Sequence, residues 1–271
     1  MDHRREQLRR TFESAADLYD VARPSYPNQL FDDLVNLAKL KPGGRLLEIG
    51  CATGKATLPL LERGFKVDCV EIGEQLAEKA RRNLAGRAVE IHTESFETWP
   101  GASASYDLVY AAAAWHWLDP ATRYRKAHDL LRIGGHLAMW SASHAFPDDT
   151  DPFFFEIQDV YEAIGESVPK GEWPPAKPDK VPDQAKEILA SGLFQDVVVR
   201  RYVWEQTYTA EEYIRLLNTF SGHIAMGDLK RSRLYGDIRA RIGRRRNPTV
   251  RRHWLSILHL AGRSKSAPLR G

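Results

Sequence analysis

Apolar runs and stretches of helical spacing alternate along the middle of the chain. Arg45 to Gly50 is a short apolar run that stops at a glycine, which predicts a buried strand. Lys55 to Arg63 follows with helical spacing through Ala56, Leu60 and Leu61, and ends at Gly64. The alternation continues with strands over 66–72, 88–92, 106–112 and 136–141. Helices are predicted over 74–84 and 121–131. In the first of these helices Leu76, Ala77, Ala80 and Leu84 share one face. Strands that alternate with helices make right-handed crossovers and a parallel sheet. Covered by helices on both faces, such strands can be apolar throughout.

Beyond Ser143 the pattern changes. Residues 146–182 are rich in proline and aromatics, including Phe153-Phe154-Phe155 and Trp173-Pro174-Pro175, and predict an insertion or lid. A helix over 183–191, capped by Gly192, and a β-branched strand over 197–204 come next. Thr209 to Phe220 predicts a helix with Thr209 as N-cap and Glu211 and Glu212 in its first turn. Residues 228–242 predict a basic amphipathic helix with Leu229, Leu234, Ile238 and Ile242 inward. A last strand is expected at 253–259, before a frayed tail from Gly262. The segment up to Leu40 is helical, broken at Arg23-Pro24-Ser25-Tyr26-Pro27. The expected fold is α/β, with seven strands, mostly parallel, and a partial helical lid. One domain over 1–271 is divided into an N-terminal lid (1–40), a ligand-binding core (41–145), the insertion (146–182) and a C-terminal part (183–271).

Composition narrows the classes. The chain has 271 residues, 43% hydrophobic and 28% charged, which excludes wholesale disorder and collagen-like repeats. No window approaches a membrane-spanning length, and the start Met1-Asp2-His3-Arg4-Arg5-Glu6 has no apolar stretch behind its charges. A cytoplasmic location is therefore expected. Two cysteines exclude a disulfide framework, and the nine histidines lack metal-ligand spacing, so no metal is expected. A net charge of +3 does not identify a nucleic-acid partner.

The chemistry concentrates in Leu46-Leu47-Glu48-Ile49-Gly50-Cys51-Ala52-Thr53-Gly54, between a strand and a helix. Ligands of parallel sheets bind beyond the carboxyl ends of strands, where small residues let them touch backbone. The pattern departs from the dinucleotide fingerprint, because Ala52 stands where a glycine would let a pyrophosphate approach. Glu48 disfavours phosphates and suits a cationic ligand, such as an amino acid carrying an ammonium and a sulfonium. Glu71 ends the second strand, 21 residues past Gly50, at the spacing where an acid accepts hydrogen bonds from ribose hydroxyls.

These residues resemble motif I of the class I S-adenosylmethionine-dependent methyltransferases. Val70-Glu71-Ile72, Thr93-Glu94-Ser95-Phe96, Tyr106 to Ala112 and Leu131-Arg132-Ile133-Gly134-Gly135-His136-Leu137 resemble four further motifs of that class, in order. Tyr19-x-x-x-Arg23-Pro24-x-Tyr26-Pro27, with Trp115-His116-Trp117, looks like the small-molecule "type 11" branch related to trans-aconitate methyltransferase. Two positions depart from the pattern: Ala52 replaces the middle glycine and Ile133 the usual proline. Alanine fits without penalty only at negative φ, and a positive φ would weaken the cofactor site.

The resemblance implies the Rossmann-like class I fold and S-adenosyl-L-methionine as cofactor. It places Gly50, Cys51, Ala52 and Gly54 around the methionyl part, with Glu48 holding its ammonium directly or through water. Glu71 would bind the ribose, Ile72 the adenine face, and Glu94, Ser95 and Phe96 the adenine. Ala111 to Ala113 would floor the site near the sulfonium, and Tyr19 and Arg23 would close over the carboxylate end. Trp115 and Trp117 fall on the substrate side, and His116 is the candidate general base, its pKa lying near neutral.

The reaction expected is methyl transfer to a small-molecule acceptor by a monomer or homodimer. The alternatives are an RNA methyltransferase using the arginines between Arg239 and Arg252, and a regulatory module that binds the cofactor without transfer. The inward-facing Ile238 and Ile242 favour a solvated arginine face over an RNA surface. Glu48 and the missing glycine disfavour an NAD-dependent oxidoreductase.

Overall fold

A computed structural model describes residues 16–169 and 171–265. Residues 1–15 of the expected N-terminal lid and most of the expected frayed tail lie outside the described residues. The elements run α1 (Ala16–Ala22), α2 (Asn28–Leu37), β1 (Arg45–Ile49), α3 (Thr57–Glu62), β2 (Lys66–Glu71), α4 (Glu74–Asn83), β3 (Val89–Thr93) and β4 (Tyr106–Ala112). After a 3-10 turn at Trp115–Trp117 come α5 (Arg123–Leu130), β5 (Leu131–Trp140), β6 (Ser143–Ala145), α6 (Phe153–Glu156), α7 (Gln158–Ala163) and α8 (Ala185–Ala190). The chain ends with β7 (Phe194–Thr209), α9 (Ala210–Leu217), α10 (Ser221–Ala225), α11 (Asp228–Gly243) and β8 (Thr249–Arg263).

The sheet has the order β3-β2-β1-β4-β5-β8-β6, with β7 on the other side of β8. The first five of these strands pair in parallel; β8 runs antiparallel to β5, β6 and β7. The α/β architecture is as expected, and the sheet has eight strands where seven were read. The eighth is β6, three residues that continue along β8 after the chain steps aside at Ser141-Ala142. A strand that short carries no periodicity to detect. The two C-terminal strands are also longer than expected. They pair from Phe194↔Arg263 to Thr209↔Thr249, and their exposed positions hide the ends from a hydrophobicity reading.

The core lies on both faces of the sheet. Leu30, Phe31 and Leu34 of α2 and Leu60 of α3 pack on one face, over Leu46 and Leu108. Tyr124, Ala127 and Leu130 of α5, with Ile188 of α8, cover the other, over Leu47 and Val109. A third cluster joins Phe153 and Phe154 of the insertion to α9, α11 and Trp254 of β8. The insertion is thus anchored by its aromatics, and it contains two short helices. Thr209 caps α9 as expected: its hydroxyl accepts from the Glu212 N–H, and Glu212 accepts from the Thr209 N–H at 2.8 Å. Leu229 is a correction. Expected inward, it is 87% exposed, because the buried stripe of α11 runs through Leu234, Tyr235, Ile238 and Ile242.

Candidate functional site

Strand order reverses between β1 and β4, since β2 and β3 lie to one side of β1 and β4 and β5 to the other. In an open parallel sheet the ligand crevice forms at such a switch point. The loop leaving β1 bends there through three positive φ values, at Gly50 (69°), Ala52 (49°) and Gly54 (89°). A Cβ at Gly50 would come within 2.5 Å of the Ala114 Cβ, so only glycine lets this loop close against the chain leaving β4.

Ala52 takes the positive φ that was expected to weaken the cofactor site, and the loop holds it there by its N–H. A left-handed alanine is disfavoured by roughly 1–2 kcal/mol. Glu71 accepts the Ala52 N–H at 2.9 Å through Oε2 and the Gly73 N–H at 2.8 Å through Oε1. The acid at the end of β2 therefore anchors the loop while its side chain lines the cavity beside it.

That cavity, about 500 Å³, opens over the carboxyl ends of the parallel strands. It brings together Tyr19, Arg23, Gly50, Ala52, Glu71, Ile72, Glu94, Phe96, His116 and Trp117 of the expected residues. Glu48 and Cys51 instead line a smaller adjoining cavity of about 40 Å³, shared with Tyr19, Arg23, Gly50 and Ala52. Gly54, Ser95, Ala111 and Trp115 line neither. Gly54 packs on Leu84, and the Ser95 hydroxyl donates to Glu97. Ala111 is wholly buried within β4, so the floor is made by Ala112 and Ala113. Trp115 is the substantive correction: it is buried against Tyr124 in the core, because the 3-10 turn sends Trp115 inward while His116 and Trp117 face the cavity.

Glu48 is buried too. Its Oε2 accepts from the Thr57 hydroxyl at 2.6 Å and from the Tyr110 hydroxyl at 2.7 Å. Burial pushes its pKa up to about 7, although both hydrogen bonds favour the ionised form.

Arg23, on the turn after α1, donates from Nε to the Thr219 hydroxyl at 2.8 Å and from Nη2 to the Thr219 carbonyl at 2.7 Å. It thereby ties the N-terminal segment to the turn between α9 and α10. Residues that sequence reasoning missed complete the cavity: Ser141 to His144, Phe220 and Ser221. His144 lies between Phe146 and Phe154 at ring distances of 4.2 and 4.3 Å. Burial, with Arg252 and His253 nearby, holds its pKa far below the usual range. Only the pairing of β6 with β8 puts it at the cavity, and no spacing in the sequence announces that. Among the described residues no cluster of metal-ligating side chains occurs.

Comparison with known proteins adds to this geometry. Residues 47–139 match the family described as methyltransferase domain. An uncharacterized methyltransferase of Geobacillus sp. (strain WCH70) is 31% identical over 146 residues, covering 51% of this chain and 67% of that protein. The chain belongs to the class I S-adenosylmethionine-dependent methyltransferases. An uncharacterized methyltransferase of Mycobacterium tuberculosis is 35% identical over 135 residues; there the match spans only half of this chain and 53% of its relative. A structure from Anaeromyxobacter dehalogenans, provisionally named a type II methyltransferase, superposes with a TM-score of 0.61 at 22% identity. It covers 89% of this chain and 97% of that one. The cofactor is S-adenosylmethionine, and the residues present fit it: a loop of small residues at the switch point beside a carboxylate ending β2. No helix is long and apolar enough to cross a membrane among the described residues.

Proposed function

We propose that this protein transfers a methyl group from S-adenosylmethionine to a small organic acceptor. The observation that carries the reading is the larger cavity, which runs from the Gly50 loop and Glu71 to His116, Trp117 and Phe220. One end suits an adenosyl amino acid, and the other leaves room for a second molecule. The bound cofactor supplies a methyl group already activated on a sulfonium.

The chain's own part is alignment and exclusion of water, which is worth a large effective molarity. Glu71 receives the ribose hydroxyls while holding the Ala52 and Gly73 N–H groups, and Glu94 and Ile72 take the adenine. Glu48 reaches the ammonium by way of the smaller cavity, and Arg23 takes the carboxylate. His116 is the proposed base for acceptors that must lose a proton. His144 suits that role less, because burial and the neighbouring Arg252 and His253 disfavour its protonated form.

The arginines expected as an alternative RNA surface mostly have carboxylate partners. Arg239 meets Glu211 at 2.6 Å, Arg241 meets Asp159 at 2.7 Å and Arg245 meets Asp151 at 2.7 Å. This supports the small-molecule reading.

Calorimetry with S-adenosylmethionine tests the proposal at its base. Glu71→Ala should weaken binding by tenfold or more, since it removes both the ribose acceptor and the loop anchor. Equal affinity in the variant and the parent would refute the assignment.

A further inference from the structure

β7 is an outer edge of the sheet. It pairs with β8 along one side and with no other strand among the described residues. Among those residues no backbone hydrogen bond reaches its other side from another segment. An edge of 16 residues is a long template of N–H and C=O groups for a further strand. One face of β7 belongs to the protein's own core. Tyr202 and Tyr208 are buried there, and the Tyr202 hydroxyl donates to Asp33 at 2.7 Å. The opposite face carries Val199, Arg201, Val203, Glu205 and Thr207. Val203, at its middle, is 48% exposed.

The order of charges on that face is self-complementary. In antiparallel pairing with a second copy, opposed residues share a face, so the two-fold axis passes through a residue. Between Val198 and Thr209, an axis at Val203 alone sets opposite charges against each other: Arg201 of each copy faces Glu205 of the other. The same axis opposes Tyr202 to Trp204 and Val199 to Thr207, pairs that favour a sheet. An axis one residue earlier opposes Arg201 to Val203, and one residue later to Thr207. Axes at Arg200, Arg201 or Glu205 set like charges together. Asp196 offers no alternative, because it lies in the bulge between Gln195 and Val198 with a φ of 52°.

Both charged groups have donors or acceptors left for a partner. Arg201 gives Nη2 to the Val181 carbonyl at 2.7 Å, and its own carboxylate neighbour, Asp183, is 3.7 Å away. Glu205 meets Arg251 at 3.0 Å through Oε2. Charges guard an edge when like meets like, whereas this arrangement admits a second copy.

We propose that two copies of this chain dimerise by antiparallel pairing of β7 about a two-fold axis at Val203, which continues the sheet from one protomer into the other. The inference is independent of the reaction, since Arg201, Val203 and Glu205 do not line the cavity.

Sedimentation velocity on the full chain tests it. At about 10 µM the parent should sediment with twice the mass of one chain. Arg201→Glu and Glu205→Arg, each alone, bring like charges together twice and should weaken the dimer by about tenfold or more. An equal mixture of the two variants should recover the dimer, because each offers opposite charges at both positions of the other. That recovery separates a contact between copies from a loss of fold, which circular dichroism checks directly. Should either variant misfold, Val203→Lys sets two like charges on the axis and takes its place, with the same weakening expected. A parent of single-chain mass would overturn the proposal. So would variants that dimerise as tightly as the parent, or a mixture that stays monomeric.

Discussion

Ala52 shows how much one methyl group decides. The loop needs a left-handed residue there, and alanine pays for it in conformational energy while its N–H is held by Glu71. Ala52→Gly should raise the unfolding free energy by about 0.5–1 kcal/mol, after the greater flexibility of unfolded glycine is subtracted. Urea denaturation at fixed pH measures this, and a loss of stability would contradict it. Glu48 makes a second prediction. Because its folded pKa is raised to about 7, the folded state binds the extra proton. Its contribution to stability is full below the ordinary carboxyl range and is lost as pH rises through about 7. Glu48→Gln should remove that decline between pH 5 and pH 8, read as unfolding midpoints across a pH series.

Elements bring these residues to the site by simple local rules. The start of α9 is set by a reciprocal pair, Thr209 and Glu212, that satisfies two otherwise unpaired N–H groups. Thr209→Ala should cost about 1 kcal/mol of stability, measurable in the same denaturation assay, without changing cofactor affinity. β4 ends in Ala112 and Ala113, which floor the cavity, and the 3-10 turn then divides Trp115 from Trp117. That division was not legible in Trp115-His116-Trp117. Three adjacent residues of similar type gave no reason to send one inward, and only the neighbouring Tyr124 and Arg123 make the inward choice favourable. The motif residues on β1 and β2 were legible because a glycine loop and a strand-end acid leave fixed positions in the chain.

Across the whole molecule, Asp151 joins distant parts. It accepts from Arg245 at 2.7 and 3.0 Å, from the Arg251 N–H at 3.0 Å and from the Phe153 N–H at 3.0 Å. Burial alone would raise its pKa, but these donors overcome that and hold it below the usual carboxylate range. The insertion is thereby fastened to β8 and to the residues that follow α11. Asp151→Ala should cost about 2 kcal/mol and speed proteolysis within residues 146–182, while S-adenosylmethionine affinity stays unchanged. Thermal melts and limited digestion check both parts; a resistant, equally stable variant would show the fastening to be elsewhere.

The alternation of apolar runs with helical spacing already determined the parallel sheet, its two helical layers and the place of the ligand loop. Period and punctuation are local properties, and glycines, a strand-end carboxylate and their spacing remain visible in one dimension. The far end of the cavity, beside β6 and the turn after α9, was decided only by tertiary structure. His144, Phe220 and Arg252 come from β6, the turn after α9 and β8, and they meet because β8 runs antiparallel beside both β6 and β7. Long-range strand pairing leaves no mark at any one position, so charge and shape at that end emerge only when the chain is closed.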